Sequence, residues 1–242
     1  MNAPIRQVDS RSAGPDRRLI AWVDGVGAFL LCPGDRTTLG GLSGSADVRI
    51  AADLAAEHAT IDRSGESHIV TAAAPTIIAN DAHRRAAGTG RPGSRRMAGC
   101  GTGRVVDGST DLAHNDELVM AREGRAAVRL RYMRPNPLTA TATLTVASEH
   151  RTDPRFDAVV LLAEACLLGP GPDAHIRCRD WETSVLLFVR DGQLWCKSER
   201  SLVVGGRKAN GPVLMTVGDH VFSEEISFRL EDASRGGYSR VS

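Results

Sequence analysis

The chain has 242 residues, a formal net charge of +1, 42% hydrophobic residues and 4% aromatic residues. The length accommodates two domains of ordinary size, and the near-zero charge excludes a global field drawing the chain to nucleic acid or an anionic membrane. No apolar run approaches the roughly 20 residues of a membrane helix, and residues 1–18 lack the apolar stretch of a signal peptide, so a soluble, cytoplasmic protein is expected. The basic residues are almost all arginine, with Lys197 and Lys208 the exceptions. The five cysteines, Cys32, Cys100, Cys166, Cys178 and Cys196, are odd in number and lack C-x-x-C spacing, which argues against a disulfide framework or a zinc knuckle. Four of them lie in apolar, strand-like stretches, where a thiol acts as a small hydrophobe.

Residues 1–17 carry Pro, Ser and Arg without periodicity and read as a disordered leader. Leu19–Val23 and residues 28–32 read as two strands joined at Asp24-Gly25, a turn pair that tolerates positive φ. A turn at Pro33-Gly34-Asp35 leads to a strand at 37–39, then to the short apolar Val48–Ile50. Residues 58–61 and 68–72 form a hairpin around Ser64-Gly65, and 75–79 is one more strand. Residues 82–104 hold six arginines and no acid; without apolar periodicity they read as a flexible, exposed insertion. Regular structure resumes at Val105, passes an Asp107-Gly108 turn and reaches Glu117–Met120. In the strand at 126–132, Val128, Leu130 and Tyr132 alternate with Arg129 and Arg131, so one face meets a core and the other water.

Arg134-Pro135-Asn136-Pro137 is a stiff break and the expected domain boundary. Beyond it, strands are expected at 140–146, 158–162, 166–168, 176–178, 185–189, 194–197, 201–204, 213–217 and 226–230. Turns at Gly169-Pro170-Gly171, Asp191-Gly192, Gly205-Gly206 and Gly218-Asp219 separate several of them. No amphipathic helix of ten or more residues is visible. Many short strands punctuated by turns indicate an all-β protein of two tandem sandwiches, at 18–135 and 138–232, followed by a flexible tail at 233–242. The halves also repeat weakly. Thr38-Leu39-Gly40-Gly41, Asp47-Val48-Arg49-Ile50 and His58-Ala59-Thr60-Ile61 recur in order as Leu167-Leu168-Gly169-Pro170, His175-Ile176-Arg177-Cys178 and Val185-Leu186-Leu187-Phe188.

Gly40, Asp47-Val48, His58-Ala59 and Ile61, in this order between short strands, resemble the forkhead-associated family, a β-sandwich that binds phosphothreonine peptides. The resemblance covers residues 19–132 and, more weakly, 156–231. It implies a non-catalytic protein-interaction module in Ser/Thr phosphorylation signalling, with a protein partner carrying phosphothreonine. In the family an Arg after the first Gly and a Ser-Arg pair before the His serve the phosphate loops; here those positions are Gly41, Ala55 and Ala56. A guanidinium gives fork-shaped, charge-assisted bonding to phosphate, and each lost charged contact costs about 1.5–3 kcal/mol. The phosphate site is therefore degenerate, with Ser43, Ser45 and Arg49 as the remaining candidate contacts and Arg63 close in sequence. The resemblance makes Gly40 and His58 loop framework and assigns the peptide-contacting carboxamide to Asn80, with Asp107 as the alternative. In the second copy no phosphate-binding residue survives; Asn210-Gly211 and Gly218-Asp219 fit turn positions, as Asn115-Asp116 does in the first. Trp181 either packs against a loop or serves recognition.

Two other readings stay open: a scaffold that binds no phosphate, and a binder of nucleic acid or an acidic partner through the arginine insertion. The insertion has no aromatic residue for base stacking, which disfavours nucleic acid. Signature motifs of phosphate-loop, zinc-protease and serine-hydrolase chemistry are missing, so no catalysis, no cofactor and no metal are expected.

Overall fold

The computed structural model describes residues 17–79, 95–97, 101–122 and 128–233. The fold is all-β, built from short strands in several sheets. In chain order the first half contains β1 (Leu19–Val23), β2 (Gly27–Pro33), β3 (Arg36–Gly41), β4 (Val48–Ile50), β5 (Ala59–Ser64), β6 (Ser67–Ala72), β7 (Thr76–Ala79), β8 (Arg95–Met97), β9 (Gly101–Val105), β10 (Ser109–Leu112), β11 (Glu117–Met120) and β12 (Val128–Met133). The second contains β13 (Ala142–Val146), β14 (Ala158–Leu162), β15 (Ala165–Gly169), β16 (Ile176–Arg177), β17 (Val185–Arg190), β18 (Gln193–Ser198), β19 (Leu202–Val204), β20 (Arg207–Ala209), β21 (Val213–Leu214), β22 (His220–Phe222) and β23 (Ser227–Asp232).

One 13-stranded sheet runs through the molecule in the order β20-β19-β22-β23-β1-β2-β14-β13-β12-β11-β7-β9-β8. Two five-stranded sheets, β10-β6-β5-β3-β4 and β16-β15-β17-β18-β21, complete it. At the middle, β2 and β14 run parallel, with Phe29 opposite Ala158 and Leu31 opposite Val160. The order is nearly palindromic about that pair, which turns the weak sequence repeat into a structural one. The registers agree: β3 meets β4 at Leu39–Val48 and Gly40–Arg49, and β15 meets β16 at Leu168–Ile176 and Gly169–Arg177.

The central strands are buried on both faces. Leu30 and Cys32 of β2 and Val159 and Leu161 of β14 enter a core with Leu39, Ile61, Leu118 and Leu130. Phe29, Leu31, Val160 and Leu162 enter a second core with Val185, Leu187, Phe228 and Leu230. Continuous apolar runs such as 28–32 and 158–162 are what two buried faces require. Trp181 belongs to this second core, 5% exposed and 6.4 Å from Phe228 between ring centroids, so it packs rather than offering a recognition surface.

Hairpins have changed places between the halves. The N-terminal strand β1 pairs with β23, Leu19 opposite Asp232 and Val23 opposite Phe228, and its Leu19, Ala21 and Val23 fill the second core. β13 pairs instead with β12, and its Ala142 and Leu144 fill the first. The expected boundary at 134–137 is thus the link between neighbouring strands of one sheet, and the ranges 18–135 and 138–232 each lend a hairpin to the other's core. The expected insertion at 82–104 is also revised at its C-terminal end. Gly101–Val105 forms a strand on the edge of β7, with Val105 opposite Ile77, and pairs in turn with Arg95–Met97. A Cβ on Gly103 would lie 2.6 Å from the Ile78 carbonyl oxygen, so the strands can approach only because the residue is Gly. Of the expected leader at 1–17, insertion at 82–104 and tail at 233–242, residues 1–16, 82–94, 98–100 (with Cys100) and 234–242 lie outside the described residues, while Arg17 bridges Asp232.

The turn chemistry is that of the sequence. Asn115 takes φ +70° and Gly218 φ +96° at matching places, and the following acids cap their turns. Asp116 Oδ2 accepts Ala113 N at 2.8 Å, and Asp219 Oδ2 accepts Thr216 N at 2.7 Å. Among the described residues no helix is long and apolar enough to cross a membrane, and no cluster of three or more His, Cys, Asp or Glu could hold a metal ion.

Candidate functional site

Three loops meet at one end of the first core: residues 42–47 after β3, 51–58 after β4, and 73–75 between β6 and β7. β3 and β4 are parallel, so the chain rises through Gly41, drops back to Val48 and rises again to Ile50. Asp47 fixes that return. Its carboxylate accepts Thr38 N at 2.9 Å, Thr38 Oγ1 at 3.0 Å and Arg18 Nε at 3.0 Å. Burial raises its pKa, but the Arg18 and Thr38 bonds outweigh it and the net displacement is downward.

His58 holds the second and third loops together. It is wholly buried; its ring Nε2 donates to the Pro75 carbonyl at 3.1 Å, and Nδ1 accepts Ala55 N at 3.4 Å. Its backbone carbonyl accepts both Ala73 N and Ala74 N. Burial draws its pKa below 6.5 against the opposing effect of the Pro75 carbonyl, so the ring is neutral and structural.

Gly40, Gly41 and Gly44 let the first loop lie on the second. Gly41 N donates to Ala55 O at 2.9 Å. A Cβ on Gly41 would stand 2.7 Å from Leu54 O, and one on Gly40 or Gly44 would collide with Ala56 O. Gly40→Ala is therefore expected to destabilise the protein by about 2 kcal/mol, read as a lowered midpoint of thermal unfolding. Gly211→Ala, where nothing lies within 4 Å, should leave the midpoint within a degree or so.

Ser43 and Ser45 are exposed on this end, beside the exposed Leu42. Arg49 is not gathered with them. It sits on the edge strand β4, where residues 151–153 dock through Asp153 N to Arg49 O at 2.9 Å and an Ile50–Thr152 bridge. Its guanidinium reaches Asp153 at 3.8 Å. Arg63 is drawn to Asp35, on another part of the small sheet. Asn80 lies outside the described residues. The residues bonded to His58 from the third loop are Ala73, Ala74 and Pro75. Asp107 is exposed in the turn after β9, next to the loop end through Val106 N to Thr76 O at 3.0 Å.

One guanidinium reaches the loop end that spacing along the chain does not indicate. β11 lies antiparallel to β7, Met120 opposite Thr76, so Arg122 emerges beside these loops and bridges Asp53 at 3.1 Å. The loops themselves contribute Asp47, Asp53 and Glu57 and no Lys or Arg. Two of these acids are paired, Asp47 with Arg18 and Asp53 with Arg122, so both guanidiniums at the loop end are held by carboxylates. In the second half the corresponding loops are tied by Glu225, which accepts Glu182 N at 2.7 Å and Thr183 Oγ1 at 3.0 Å, with Arg200 reaching Glu182 at 2.9 Å. Comparison with known protein families, curated proteins and solved structures gives no match to this chain.

Proposed function

We propose that the chain is a non-catalytic protein-interaction module on the forkhead-associated plan whose loop end does not depend on phosphate. What carries this reading is the closure at Gly41. At the family's guanidinium position the backbone is tied to Ala55 O, and a Cβ would stand 2.7 Å from the Leu54 carbonyl oxygen. The pairing of Arg18 with Asp47, Arg122 with Asp53 and Arg49 with Asp153 supports the same reading, because each guanidinium near the loop end already has a carboxylate partner.

Arrays of matched peptides with and without phosphothreonine test it. The expected result is equal signal on both sets. A phosphate-dependent signal lost in Arg122→Ala would overturn it and assign the phosphate to Arg122. Gly41→Arg is expected not to introduce phosphothreonine binding, since the collision with Leu54 O displaces the loop before the guanidinium can be aimed; calorimetric titration with a phosphothreonine peptide reads the outcome.

A further inference from the structure

A cavity of about 1020 Å³ lies away from the loop end, at the seam made by the hairpin exchange. On one side are Ile20 and Trp22 of β1; on the other is the segment 153–157 that leads into β14. Its floor is apolar: Ile20, Trp22, Val26 and Ala28. The Trp22 ring is held in place, its Nε1 donating to Glu231 Oε2 at 2.9 Å. The facing wall is held as firmly. Asp157 N donates to Ala28 O at 2.8 Å, Asp157 Oδ2 accepts Ala28 N at 2.8 Å, and a Cβ on Gly27 would collide with that carboxylate. The groove is thus formed before anything enters it, which removes part of the ordering cost of binding.

Charge distinguishes its occupant. Asp24, Asp153, Asp157 and Glu231 line the groove with Arg155, and two of these acids have arginine partners outside the lining, Glu231 with Arg229 at 2.7 Å and Asp153 with Arg49 at 3.8 Å, so carboxylates outnumber guanidiniums by one. An indole beside a rim with a carboxylate surplus suits a planar cation, which can meet an aromatic ring and a carboxylate at once. The volume exceeds one side chain and falls at the upper end of ligand pockets, and the aliphatic floor suits a neighbouring apolar residue. We infer that this groove is a docking site for an arginine-bearing peptide segment with an aliphatic anchor, independent of the loop end and of phosphate.

The test uses the full chain and three short synthetic peptides without phosphate: one with Leu-Leu flanked by arginines, one with lysine for every Arg, one with glutamate for every Arg. Fluorescence anisotropy is expected to show binding of the arginine peptide, weaker binding of the lysine peptide and none of the glutamate peptide, with affinity falling as salt rises from about 0.05 to about 0.5 M. Trp22→Ala and Asp153→Arg should each weaken it about tenfold or more; Asp153 is more than half exposed, so that variant reads charge without depending on the core. Ser43→Glu, on the loop end, should change nothing. Equal binding of the arginine and glutamate peptides, or binding indifferent to both groove variants, would overturn the assignment. So would self-association of the chain that Trp22→Ala abolishes, because the groove would then hold a second copy.

Discussion

Ala21→Asp, a substitution in the first strand, is expected to unfold the second half of the molecule before the first. Ala21 is wholly buried and lies in the core formed by Val185, Leu187, Phe228 and Leu230. A carboxylate there has no partner, and burying it costs about 4 kcal/mol, a large share of a domain's stability. Hydrogen exchange followed by mass spectrometry should show protection lost first across β15–β19 and β22–β23, while β3, β5 and β6 keep theirs. Leu144→Asp on β13 is the mirror experiment. Leu144 is 2% exposed and packs with Ile61, Val70 and Leu130, so protection should fail first in β3–β12. If Ala21→Asp instead stripped protection from residues 36–133 first, each half would be using its own hairpin and the exchange would be wrong.

Why the exchange is invisible in the sequence follows from the strands concerned. Local spacing shows where a strand begins, ends and turns: Gly65 and Gly192 take φ of +60° and +68° in hairpins that Ser64-Gly65 and Asp191-Gly192 mark. The alternation of Val128, Leu130 and Tyr132 with two arginines gives β12 its inner face. Pairing partners depend on which edge a strand meets. Residues 19–23 and 28–32 are apolar nearly throughout, a pattern compatible with either neighbour, and β2 is buried on both faces, so no polar alternation selects one. The double burial itself was readable in 28–32 and 158–162, which lack the polar alternation of a two-layer sandwich. Nothing in the Gly- and Arg-rich segment marks β8 and β9, because the pairing of β9 with β7 and of β8 with β9 runs through backbone groups that any sequence carries.

The site divides in the same way. Gly40, Asp47 and His58 act within one short stretch, and their roles are local: two loops lying on each other, a strand return and a hydrogen-bonded ring. Arg122 and Asp153 depend on tertiary neighbours. The first reaches the loops because β11 lies beside β7, and the second reaches Arg49 because the connection between β13 and β14 covers the edge of β4. Residue types and spacing therefore indicate what the loop end lacks, while the partners that neutralise its arginines appear only in the fold.

Stability is expected to fall steeply between pH 6.5 and about pH 4, before most carboxylates titrate. His58, His68 and His175 are all buried. His68 is pulled down to about 4 chiefly by burial, with the charges of Arg63 and Arg134 adding to it; its Nδ1 meets the Tyr132 hydroxyl at 3.0 Å. His175 is lowered to about 4 by burial despite the opposing Thr141 carbonyl and Asp173, and its Nδ1 accepts Leu167 N at 2.9 Å. These pKa values lie below that of an unfolded histidine, so above pH 6.5 both states are neutral and no stability depends on pH. Between 6.5 and about 4 the unfolded chain takes up protons that the folded chain refuses, and each of the two histidines removes about 1.4 kcal/mol per pH unit. Together they remove about 3 kcal/mol per unit, enough to unfold a domain of ordinary stability before pH 4. Asp47, whose folded pKa lies below 3.8, adds its loss only at lower pH. Urea unfolding at a series of pH values reads the slope directly, and His68→Gln should reduce it by about 1.4 kcal/mol per unit while lowering stability at pH 7 through the unpartnered Tyr132 hydroxyl. A slope that His68→Gln leaves unchanged would show that this ring is already protonated in the folded protein, against its burial beside two arginines.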